Sequence, residues 1–180
     1  TIKAIAVSEQ GIQSHICKIN IHKLDPLKSI KILSEYSREY TGGGDIALID
    51  GITGTTDFRT SEWQGYQDTD LVAIIDLGKM QIIRYLAAHF LQDVSPWILY
   101  PPYVEFSSSE NGKQFKSIAV VKNKYPRNNW KPQSTWFDTT INPINTRYIK
   151  VFVKRSGTLP QWHPGAGYPA FFFVDEILIK

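Results

Sequence analysis

A single cysteine, Cys17, leaves this chain of 180 residues without an internal disulfide and without the thiolates that a zinc cluster needs. The four histidines stand at no metal-ligand spacing from one another. No run of about 18 apolar residues is present, so the sequence offers no membrane-spanning helix, and its first residues lack the basic, apolar, small-residue order of a signal peptide. The chain starts at Thr1, inside what reads as a strand, as expected of a piece of a longer precursor. Excess charge is also lacking: 20 basic against 17 acidic residues leave a formal +3, with the signs interspersed, which argues against a phosphate-tracking surface. Helical periodicity is nearly missing. What is present is 42% hydrophobic and 13% aromatic residues, the composition of a folded domain. Its stability must come from packing, or from a hard cation held by oxygens.

Strand signals fill this space. Thr1 to Val7 alternates, and Ser29 to Leu33, Leu71 to Leu77, Gln114 to Val121, Arg147 to Val153 and Phe171 to Ile179 are rich in β-branched or aromatic residues and bounded by turn formers. Met80 to Leu91 reads equally as helix or strand, because Leu86, Ala87 and Ala88 suit a helix while Ile82 and Ile83 suit a sheet. SENGK at Ser109 to Lys113 places Asn-Gly between two strands and predicts an antiparallel hairpin. Short strands, Gly/Pro-rich turns and no βαβ alternation imply an all-β sandwich or jelly roll. Leu24-Asp25-Pro26 marks a boundary. Residues 1–26 read as two strands from the end of an upstream β-sandwich domain, since two strands alone bury too little surface, and residues 27–180 as the module proper.

From Leu27 onward the order of motifs resembles the discoidin, or coagulation-factor type C, domain and its bacterial carbohydrate-binding relatives. The motifs are ALIDG at Ala47 to Gly51 with Trp63 beyond it, IIDLG at Ile74 to Gly78, VEFSSSENGKQF at Val104 to Phe115, RYIKV at Arg147 to Val151, and VDEILI at Val174 to Ile179. The resemblance implies a discoidin-like (galactose-binding-like) jelly-roll β-sandwich, usually non-catalytic and attached to secreted enzymes or receptors. IKAIAV near the start resembles the last strands of a small sandwich domain of bacterial chitobiases. WHPGAG at Trp162 to Gly167 is similar to C-terminal modules of bacterial β-N-acetylhexosaminidases. A secreted, periplasmic or cell-surface location, with a covalently linked glycoside hydrolase domain, follows as an expectation.

Between Tyr40 and Trp63 the glycines Gly42, Gly43, Gly44, Gly51 and Gly54 allow turns that aim several carbonyls at one point, and oxygen ligands suit Ca²⁺. The resemblance assigns a structural Ca²⁺ to the Asp50 carboxylate, the carbonyls of Ala47 and Ile52, Thr55, the carbonyl of Asp175 and the carboxylate of Glu176. Without it, Asp50 reads as a turn cap and Glu176 as a residue of a solvated edge. For sugar, flat rings beside polar groups are the requirement. Tyr66 with Gln64 after Trp63, then Gln92, Asp93 and Trp97, then Trp162 and His163 fall in three loops that a jelly roll brings to one end. Trp63 matches a core tryptophan of the family. Trp130 and Trp136 read as loop or core packing, and burial is as good a reading for Trp97 and Trp162.

An enzyme would need paired carboxylates or a nucleophile with its base. Asp68 with Asp70, and Asp57 with Glu62, fall in polar loops where solvated charge explains them. No G-x-S-x-G is present. The expected function is therefore a non-catalytic carbohydrate-binding module for a galactose- or N-acetylhexosamine-type glycan. A structural or protein-docking module without a sugar site is the alternative. Lipid recognition through WILYPPY at Trp97 to Tyr103 ranks third, because its prolines suit a buried bend.

Overall fold

The computed structural model describes residues 2–19 and 27–180. β1 (Ile2–Ala4) and β2 (Cys17–Ile19) pair antiparallel as a two-stranded ribbon of their own. The boundary expected at Leu24 to Pro26, and Thr1, lie outside the described residues.

The module is built on two unusually long strands, β5 (Leu71–Gln92) and β8 (Gln133–Val153), which pair with each other along most of their length. Their register slips between Asp76 and Gln81 and again between Ile83 and Tyr85. Gly78 sits at this bend with φ 77°, a left-handed conformation that glycine adopts without steric cost. A Cβ there would also lie 2.4 Å from that of Leu27. Before the bend β5 pairs with β3 (Ser29–Ile32), and β8 with β6 (Tyr103–Ser109), whose other side carries β7 (Lys116–Lys122). After the bend β5 pairs with β9 (Phe171–Ile179), which in turn holds β4 (Gln64–Gln67). One ladder thus folds over into two layers. Between them pack Leu71, Ile75, Phe90, Phe106, Ile149 and Phe172, all fully buried.

Met80 to Leu91 is strand throughout, continuous with Leu71 to Leu77. Both its neighbours are strands, so backbone groups that a helix would satisfy internally are taken up by ladders on either side. The SENGK hairpin forms as expected, in a longer loop than a two-residue turn. Asn111 Oδ1 accepts the backbone N–H groups of Lys113 and Gln114, and Gly112 takes φ 70°.

Candidate functional site

The loops that precede β9 and follow β5 are stitched together. Leu99 N–H donates to Phe171 O, Phe171 N–H to Trp97 O, and the imidazole of His163 bonds Val94 O at 2.9 Å. The turn 93–98 is closed by reciprocal backbone bonds between Asp93 and Ile98 and by Trp97 N–H to Val94 O. Trp97 carries φ 71°, a conformation that costs a bulky residue energy and is held by its surroundings. Its ring stacks on Tyr168 at 5.5 Å, and Gly165 leaves no room for a Cβ against the indole, which would lie 3.0 Å away.

On this end Trp162 is 45% and Trp130 48% exposed, with ring centroids 6.0 Å apart and planes at 68°. Trp130 lies flat on His163, at 5.5 Å and 9°. His163 is the foundation of the pair, since its Nε2–H donates to Val94 O while its Nδ1 accepts Gly165 N–H. Elsewhere among these loops Trp97 stacks on Tyr168, and Phe171, whose N–H donates to Trp97 O, packs on Tyr40, which packs in turn on Phe58. Beyond them opens a cleft of about 660 Å³ whose wall includes Tyr40, Phe58 and Arg59, the guanidinium lying 4.5 Å above the Phe58 ring.

Three expectations are corrected here. Tyr66 is fully buried, stacked on Phe172 at 5.0 Å with its hydroxyl donating to Gln64, so neither residue meets a ligand. Gln92, the last residue of β5, is also fully buried, and its amide braces Pro126 O and Tyr100 N–H. His163 is 4% exposed with both ring nitrogens engaged, so it supports the platform and cannot reach a sugar hydroxyl. Trp130, assigned to packing, is instead one of the two most exposed indoles described. Its polar neighbours in RNNWKP were the available signal. Asp93 and Trp97 are half-buried at this end, and burial raises the Asp93 carboxyl above the usual range. Trp63 is core, as expected: it is 1% exposed and its Nε1–H donates to Thr55 O. Trp136 is half-buried against His89. Tyr40, Phe58, Arg59 and Tyr168 were not anticipated.

The glycine-rich loop is tied to β9 by two carboxyls. Gly51 N–H donates to Glu176 Oε2 at 2.7 Å, and Gly54 N–H to Asp175, whose carboxyl also bonds His89 Nδ1 at 2.8 Å. A register shift explains how two neighbouring residues both point inward: Glu176 pairs with His89 and Val174 with Phe90, so Asp175 is the extra residue of a bulge. Glu176 is 2% exposed, and its carboxyl is pushed up to about 8, mainly by burial, with the Asp50 and Asp175 carboxyls adding to the rise against the pull of Gly51 N–H and Lys28. Burial likewise raises Asp50, whose Oδ1 accepts Ile52 N–H. The Asp50 and Glu176 carboxyls are oxygen donors of the kind a hard cation takes, but among the described residues no group of three or more His, Cys, Asp or Glu side chains is placed to hold a metal ion, so an ion here would depend on backbone carbonyls for the rest of its shell. Ala47, Asp50 and Ile52 also share the wall of a cavity of about 230 Å³. Thr55 is exposed, and its Oγ1 accepts Asp57 N–H.

The carboxylates weighed for catalysis are mostly engaged elsewhere. Asp68 pairs with Arg155, Asp70 with Lys154, and Asp57 with Arg59, which holds the Asp57 carboxyl below its usual range through backbone and side-chain hydrogen bonds.

Two layers of antiparallel strands joined by long bending strands, with aromatic loops crowded at one end, define a jelly-roll sandwich module. Residues 30–172 match the model of the F5/8 type C domain, and the chain belongs to that family. Its fold is shared with solved structures of low sequence identity. One is CpGH89CBM32-5 from Clostridium perfringens, in complex with GalNAc-β-1,3-galactose, at 12% identity and TM-score 0.52 over 85% of this chain and 94% of that one. A second is the CBM32 of AlyQ, in complex with 4,5-unsaturated mannuronic acid, at 10% identity and TM-score 0.51 over 84% and 93%. A third is the family 32 CBM of C. perfringens NanJ, in complex with galactose, at 15% identity and TM-score 0.50 over 85% and 93%. No curated protein matches the sequence.

Proposed function

We propose that this chain is a non-catalytic carbohydrate-binding module that holds a glycan against the Trp130–Trp162 pair. The observation that carries the reading is the exposure of two indoles set edge to face on a support of buried hydrogen bonds. Large apolar rings are normally buried unless they meet a partner, and pyranose C–H faces pack on such rings. The sugars named for the NanJ and CpGH89CBM32-5 modules support a galactose- or N-acetylhexosamine-type ligand. A secreted glycoside hydrolase of the chitobiase type as covalent partner is the finer part of the proposal, supported by the likeness of WHPGAG and IKAIAV. A structural Ca²⁺ held by Asp50, Glu176, Thr55 and the carbonyls of Ala47, Ile52 and Asp175 belongs to it as well. When bound, the ion would add positive charge beside the Asp50 and Glu176 carboxyls, both of which burial raises.

A glycan array followed by calorimetric titration of the best ligand tests the reading. Trp162→Ala and Trp130→Ala should each weaken binding about tenfold or more, with an unchanged far-ultraviolet spectrum and melting point. Retained affinity in both variants would move the site elsewhere. No binding to any glycan would leave the docking module in its place.

A further inference from the structure

One stretch departs from the general interspersion of charge. Between residues 111 and 174 there are ten lysines and arginines but one acid, Asp138. Three of those cations, Arg147, Lys154 and Arg155, reach across to Asp76, Asp70 and Asp68. The segment 123–134, which carries Trp130, has no acid at all, and among the described residues none pairs with its cations.

Arg127 is the notable one. Its guanidinium is half-buried, Nη2 donates to Ser156 O at 2.8 Å, and its Nε has no hydrogen-bond partner and no contact with solvent. The Arg127 guanidinium feels burial and no neighbouring carboxylate, while Asp57 and Asp93 interact with Arg59 instead. The amide of Gln133 repeats the pattern: its Nε2 is buried and unpartnered as well. Both lie at the loop end, because Gln92 braces Pro126 O, next to Arg127 in the chain, and faces Gln133 across the ladder. Lys131, exposed and without a charged partner, directly follows Trp130. Buried cations are ordinarily paired, and buried N–H groups ordinarily find an acceptor.

Resting on the carbohydrate reading above, we infer that the glycan is acidic, and that Arg127 and Lys131 take the carboxylate or sulfate of a sugar whose ring lies on the Trp130–Trp162 pair. Arg127 Nε is sealed from solvent and Nη2 is held by Ser156 O, so the donor left for such a group is Nη1, and a charge-assisted hydrogen bond is stronger than a neutral one. The neutral part of the sugar then gains from the aromatic pair, and the anionic part from a cation already held in place.

The test uses tetragalacturonate, its fully methyl-esterified form, and a sulfated galactotetraose with its desulfated parent, titrated into the chain by calorimetry. We expect at least one anionic ligand to bind about tenfold more tightly than its uncharged counterpart, with the preference fading as salt is raised from low to about 0.5 M. Which of the two is preferred identifies carboxylate or sulfate. Arg127→Gln and Lys131→Gln should each erase much of the preference. Because Arg127 also braces Ser156, the Lys131 variant, at an exposed position, keeps the test open if the other misfolds. Trp162→Ala should weaken charged and uncharged ligands alike. Equal binding of each pair, or a preference indifferent to both substitutions, would overturn the acidic-glycan inference while leaving sugar binding intact. Binding of neither these nor any neutral glycan would overturn both.

Discussion

At the scale of single residues, the site is governed by which polar atoms are already spoken for. His163 and Gln92 have the chemistry of ligand contacts but spend their hydrogen bonds on Val94, Gly165, Pro126 and Tyr100. The indoles of Trp130 and Trp162 have no such duty, and they project. Trp63 shows the opposite outcome. It fills the space under the glycine-rich loop, where a Cβ on Gly54 would meet its Nε1 at 2.5 Å and its Cε2 at 2.6 Å. Backbone and a buried ring cannot both yield cheaply, so Gly54→Ala should destabilise the fold by roughly 1–3 kcal/mol, the usual cost of overpacking. Urea unfolding followed by tryptophan fluorescence measures it. An unchanged midpoint would show that the loop relaxes freely around Trp63.

At the scale of elements, β9 decides how the glycine-rich loop behaves. Its bulge at Asp175 turns two successive carboxyls inward, and the loop amides of Gly51 and Gly54 close on them. Glu176 is raised in the folded state, so the folded chain keeps a proton that the unfolded chain has released between about pH 4.5 and 8. The stabilisation is complete below the unfolded value and is lost as pH rises through the folded one. Chelated protein should therefore melt at a lower temperature at pH 8 than at pH 5, by several degrees. Ca²⁺ should flatten that slope, adding about 2.7 kcal/mol at a hundredfold excess over Kd. Glu176→Gln separates the effects: it should raise the melting point of chelated protein at pH 8 and abolish the response to Ca²⁺. A wild-type melt indifferent to both pH and Ca²⁺ would remove the ion from this account. Several strands were legible in the sequence, Phe171 to Ile179 to the residue, whereas β4 and the half of β8 before Arg147 were not. The bulge was not, because FFFVDEILI reads as an apolar strand carrying two adjacent acids, and which face each takes is fixed only when a partner strand sets the register. Nor was the fate of Tyr66 and Gln92 legible, because both read as loop residues and instead lie in β4 and at the end of β5, where the pairing of the strands buries them.

At the scale of the whole molecule, the question is whether a module with this much polar chemistry at one end also cuts what it holds. Glycoside hydrolysis needs one carboxyl kept protonated and a second ionised beside it. Asp93, raised by burial, and Asp57, lowered by Arg59, are the one pair at the ligand end whose surroundings push them apart in this way. Asp57, however, is exposed and spends its carboxylate on the backbone and guanidinium of Arg59, so it is not free to attack a sugar or activate water. Of the other raised carboxyls, Asp175 and Glu176 lie sealed under the loop at 0% and 2% exposure, and Asp50 spends Oδ1 on the N–H of Ile52. The chain should therefore bind without cleaving. Incubated with an aryl N-acetylglucosaminide or an aryl galactoside, it should release nitrophenol no faster than buffer. Release that Asp93→Asn abolishes and Trp162→Ala merely slows would show that this end is an active site, and would make the aromatic pair its substrate platform.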